Sequence, residues 1–109
     1  MVHITSFAIM AAALASQALA VTVCEPNKFY CGYTLLSGSD YNTWKPRIDA
    51  ALSRSNQPVD GDHEYQSLFT CITPTTLNWD DYCLAHPLLR CQPLTNAGCF
   101  GTNDCCAPS

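Results

Sequence analysis

Eight cysteines, Cys24, Cys31, Cys71, Cys83, Cys91, Cys99, Cys105 and Cys106, are the residues of this chain best equipped for chemistry. Thiols can hold a metal, attack a substrate or pair as disulfides, and spacing discriminates between these uses. Successive cysteines are separated by 6, 39, 11, 7, 7, 5 and 0 residues. There is no Cys-x-x-Cys pair and no His-x3–5-His partner, so the pattern disfavours zinc. An even count behind an apolar leader points to a framework of up to four bridges. The pairing stays open, because eight cysteines allow 105 connectivities. The adjacent Cys105 and Cys106 are expected to bond to two different partners, since a vicinal disulfide strains its peptide.

Other constellations are weaker. Asp60-Gly61-Asp62-His63-Glu64 concentrates polar groups in one stretch. A calcium loop needs different spacing and a distant Glu, and a zinc-protease helix needs a second His four residues after the first. A solvated acidic loop is the simpler expectation. No Gly-x-Ser-x-Gly elbow and no Gly-rich phosphate loop is present. His63 and His86 lie in no recognisable triad setting. Asp80-Asp81 is not a glycosidase dyad, because adjacent residues on a strand face opposite ways. The chain is therefore expected not to be an enzyme, with no catalytic, cofactor-binding or metal-binding residue and no cofactor. Trp44, Trp79, Tyr30, Tyr33, Tyr41, Tyr65 and Tyr82 can stack on sugars or anchor a protein partner. Most are expected in a small core.

The first 20 of the 109 residues carry no Asp, Glu, Lys or Arg and end in Ala18-Leu19-Ala20. An apolar run from Phe7 to Ala15 followed by a small-x-small site predicts a signal peptide over 1–20. Ser16-Gln17 interrupts that run too early for a membrane anchor. Residues 21–109 are expected to form one cysteine-rich domain, exported and soluble, with no membrane span. The formal net charge of −4 argues against nucleic acid, which demands a basic surface.

The elements that would position these groups are few. Lys28 to Ser37 alternates Phe29, Cys31, Tyr33 and Leu35 on one face and reads as a strand. Trp44 to Arg54 places Trp44, Ile48, Ala51 and Leu52 on one stripe and reads as the single helix, with Thr43 as N-cap and Pro46 in the first turn. Residues 56–64 read as an acidic loop. Glu64 to Thr73 reads as a second strand, and Thr75 to Cys83 as a third strand or a helical turn. The tail from Leu84 is rich in prolines and cysteines and reads as loops held by bridges. The fold class expected is α+β: a small disulfide-stapled domain with a short antiparallel sheet and one helix.

The Ala-rich leader, the Cys24-Glu25-Pro26-Asn27…Tyr30-Cys31-Gly32-Tyr33 opening and the cysteine density carry a resemblance. Together they resemble the small secreted cysteine-rich effectors of plant-infecting filamentous fungi, among them the biotrophy-associated secreted proteins. The resemblance implies a secreted effector, delivered to the host apoplast or host cytoplasm, that promotes colonisation. Secretion, bridge density and the absence of a catalytic constellation lead to the expectation of a monomer that acts by binding a host protein. The alternatives are a toxin or antimicrobial protein, a cell-wall carbohydrate binder, and a protease inhibitor with a rigid loop between bridges.

Overall fold

A computed structural model describes residues 22–37 and 40–109. The expected signal peptide lies outside the described residues. The elements run β1 (Phe29–Cys31), α1 (Gly32–Leu36), α2 (Tyr41–Arg54), α3 (Gly61–Gln66), β2 (Ser67–Thr73), β3 (Thr76–Tyr82), a 3-10 turn (Cys83–Ala85), β4 (Leu89–Gln92) and β5 (Cys105–Pro108). β1, β2 and β3 form an antiparallel sheet in that order, and β4 pairs with β5 in a second. The α+β class with short antiparallel strands is thus observed, and the described residues form two sheets and three α-helices where one of each is expected from the sequence.

α2 is the scaffold's main helix. Its buried residues are Trp44, Ile48, Ala51 and Leu52, spaced as one face of a 3.6-residue period. It begins earlier than the stripe predicts, at Asp40 and not at Thr43. Pro46 consequently sits in the second turn, where it leaves the Asn42 carbonyl without its helical donor. The stripe packs with Leu35, Leu36, Phe69, Cys71 and Leu77 into the principal core. Arg47 lies over the Trp44 ring at 4.6 Å and donates to the Thr22 carbonyl at 2.8 Å, covering the outer edge of that core.

Two expected elements move. The strand predicted over Lys28 to Ser37 ends at Cys31, and the chain turns directly into α1. Gly32 permits this turn, because a Cβ there would lie 1.6 Å from the Glu64 carbonyl oxygen. The alternating pattern misled because Leu35 and Leu36 are both buried, as a short helix against a core requires. The acidic stretch expected as a loop folds from Gly61 into α3. The Asp60 side chain caps it, accepting the His63 N–H at 2.8 Å, so β2 starts at Ser67 and not at Glu64.

β2 is the central strand, pairing Tyr30 with Phe69 on one side and Phe69 with Trp79 on the other. Thr76–Tyr82 resolves the strand-or-turn alternative in favour of a strand. The tail, expected to be loops, supplies β4 and β5, in which Cys91 stands opposite Cys106. Those two cysteines do not bond to each other. Cys91 bonds to Cys31 on β1, and Cys106 bonds to Cys83 after β3. The small sheet is thereby fastened to the large one at two points. Among the described residues no helix is long and apolar enough to cross a membrane.

Candidate recognition surface

All eight predicted site residues are paired. The bridges are Cys24–Cys71, Cys31–Cys91, Cys83–Cys106 and Cys99–Cys105, with no free thiol. Cys105 and Cys106 bond to different partners, as their adjacency predicts. Cys31, Cys83 and Cys91 gather with Leu68 into a second core cluster, so these sulfurs act as packing as well as crosslinks.

A carboxylate organises that cluster. Asp104 is 3% exposed. Its Oδ2 accepts the Cys31 N–H at 2.9 Å and the Thr34 hydroxyl at 2.8 Å. Its Oδ1 accepts the Leu94 N–H at 2.9 Å. One buried anion, fully hydrogen-bonded, therefore ties β1, α1 and the tail together. Nothing in the sequence around Asn103-Asp104-Cys105 marks this role.

A second polar cluster joins α2 to α3. Lys45 Nζ contacts Glu64 Oε2 at 2.6 Å and Asp49 Oδ2 at 2.9 Å. These contacts raise the Lys45 pKa. Burial, and then the hydrogen bond with Asp49, raises that of Glu64. Burial pushes Asp49 upward too, but hydrogen bonds from Glu64 and Lys45 outweigh it and hold the group below its usual value. Asp49 Oδ1 is buried without a donor of its own.

The histidines are engaged locally. His63 stacks on Tyr82 with ring centroids 3.8 Å apart, and its Nδ1 lies 2.8 Å from Asp60 Oδ1. His86 Nε2 lies 2.9 Å from Asp81 Oδ2. Among the described residues no group of three His, Cys, Asp or Glu side chains could hold a metal ion. The Asp60–Glu64 stretch is a helix cap and part of the polar cluster. Of the aromatic candidates, Trp44 is buried in the core, with Tyr30 and Trp79 packed against it. Tyr33 packs on the second cluster. Tyr41 and Tyr65 are exposed at the surface.

The surface that stands apart is a turn the sequence did not single out. Leu88 is 90% exposed and adopts φ 66°. Leu89 N–H donates to the His86 carbonyl at 3.2 Å, closing a turn with Pro87 and Leu88 at its centre. Proline second and a positive φ third is the type II arrangement, in which the third position favours Gly or Asn. A leucine there costs about 1–2 kcal/mol of backbone strain. The turn lies between Cys83 and Cys91, both buried and both bridged, so its base is fixed. Beside it a shallow pocket of about 340 Å³ is lined in part by Leu84, His86, Leu89, Arg90 and Ser109. Pro87 was a legible turn signal, but a leucine in the glycine position was not.

The chain matches no known family model, no curated protein and no solved structure.

Proposed function

We propose that this chain is a secreted, effector-type binding protein: a monomeric, non-catalytic scaffold that presents the Pro87-Leu88 turn to an apolar pocket on a host protein. Leu88 carries the reading. It is 90% exposed, and it holds a left-handed backbone conformation that Gly would adopt without strain. Nothing in fold stability favours a leucine there, whereas insertion into a partner would. Strain at an exposed, over-determined position is a recurring mark of binding sites. Four bridges support an extracellular life. The folded turn also supports this reading over the inhibitor alternative, because a protease cleft takes an extended segment and not a tight turn.

The test compares immobilised wild-type protein with Leu88→Asp and Ile72→Asp against extracellular host proteins. Ile72 is 45% exposed and controls for loss of any surface apolar group. The expected result is a captured protein lost with Leu88→Asp and retained with Ile72→Asp. Equal capture by all three forms overturns the turn as the site. Undiminished colonisation after deletion of the gene in the producing organism overturns the effector role.

A further inference from the structure

We infer that Cys99–Cys105 is a thiol-exchange site, opened by an external dithiol reductant while the other three bridges stay closed. Three independent observations single it out.

The first is access. A thiolate must reach a sulfur for exchange to occur. Cys24–Cys71 and Cys31–Cys91 have both partners buried, and Cys83–Cys106 has Cys83 buried. Cys99–Cys105 is the bridge with both cysteines partly exposed.

The second is loop length. The Cys99–Cys105 bridge spans a separation of 6 residues, against 23, 47 and 60 for the others. Bridges across short loops remove the least entropy from the unfolded chain. Opening this bridge therefore costs the fold less stability than opening any of the other three, so the domain stays folded when it is reduced.

The third is what holds the surroundings. Asp104, next to Cys105, stays bonded to Cys31 N, Thr34 Oγ1 and Leu94 N. Cys106, on its other side, stays bridged to Cys83, and Gln92 still pairs with Cys105 on β5. Asn103 Oδ1 still accepts the Phe29 N–H at 2.9 Å, so opening releases only the short segment from Phe100 to Thr102. That segment carries Phe100, which is 87% exposed and leaves no core position empty when it moves.

The chemistry balances with a Cys-x-x-Cys dithiol as reductant. One reductant thiolate attacks a sulfur of the bridge, forming a mixed disulfide and expelling the other cysteine as a thiolate, which takes up a proton. The reductant's second thiol then attacks the mixed disulfide and frees the remaining cysteine. Two electrons and two protons pass to Cys99 and Cys105, and the reductant leaves as its own disulfide. The site is independent of the Leu88 turn and stands or falls separately.

The experiment treats the oxidised full domain with a Cys-x-x-Cys oxidoreductase, and in parallel with dithiothreitol. It quenches with iodoacetamide at intervals and maps the labelled peptides. Labelling of Cys99 and Cys105 is expected about tenfold or more ahead of any other pair, with the combined fluorescence of Trp44 and Trp79 unchanged while only that pair is labelled. Equal labelling of Cys83 or Cys106, or loss of the native fluorescence in step with the first two thiols, overturns the proposal. A Cys99→Ser, Cys105→Ser double variant should lack the fast phase. A fast phase that persists in it also overturns the proposal, and should that variant not fold, the wild-type kinetics decide alone.

Discussion

The Asp104 carboxylate accepts the backbone N–H of Cys31 at 2.9 Å across a separation of 73 residues. This bond closes the tail of the chain onto the first strand beside the Cys31–Cys91 bridge. Because both carboxylate oxygens accept from donors, an amide cannot replace the acid, as its NH2 would face an N–H or hydroxyl. Asp104→Asn should therefore destabilise nearly as much as Asp104→Ala, each by about 2–4 kcal/mol. Urea denaturation of the oxidised proteins checks this. An Asn variant of wild-type stability would show that the anion is dispensable.

Gly32 brings the backbone of α1 close against the backbone of α3. A Cβ at 1.6 Å from the Glu64 carbonyl oxygen meets backbone and not a movable side chain, with Glu64 C at 2.8 Å behind it. Gly32→Ala should cost about 3 kcal/mol or more, read as a lowered melting temperature or failure to secrete. By contrast Gly61, which meets nothing within 4 Å, should accept Ala with little change.

Leu88 should trade stability for binding. Leu88→Gly relieves about 1–2 kcal/mol of left-handed strain and gives back about 0.5–1 kcal/mol through the entropy of Gly. The net expectation is a stabilisation of up to about 1.5 kcal/mol, accompanied by loss of partner capture. A melting curve and the capture assay, run on the same sample, check both. A variant that melts lower than the wild type contradicts the strain argument.

Stability should depend on pH through the Lys45 cluster. Glu64 has a folded-state pKa raised above its usual 4.5 by burial and by Asp49. The folded chain thus keeps a proton that the unfolded chain gives up, and stability falls as pH rises above about 4.5. Asp49, held below its usual 3.8, works oppositely: its contribution is present above that value and lost as pH falls through the lowered pKa. Glu64→Gln should flatten the slope of the urea midpoint above pH 4.5. Asp80, also raised by burial and by Asp81, leaves a residual slope of the same sign. Identical slopes in wild type and variant would remove Glu64 from the account.

The parts legible in the sequence were those written in local spacing. The Trp44, Ile48, Ala51 and Leu52 stripe specified α2, because helical period alone decides which side chains share a face. The even cysteine count specified full pairing, and the Cys105-Cys106 adjacency ruled out their bonding to each other. Asp60, followed by the short run to Gln66, offered a cap signal that composition disguised as an acidic loop.

What tertiary structure decided depends on partners far apart in the chain. β1 gives way to α1 because Gly32 meets Glu64 and Cys31 meets Asp104; no local propensity encodes either contact. The bridge pairing followed from the strands, since only folding places β1 beside β4 and the end of β3 beside β5. The Leu88 turn is the sharpest case. Its proline is visible in the sequence, but its positive φ and exposure arise because two bridged cysteines fix the ends of the segment and the chain between them must turn back.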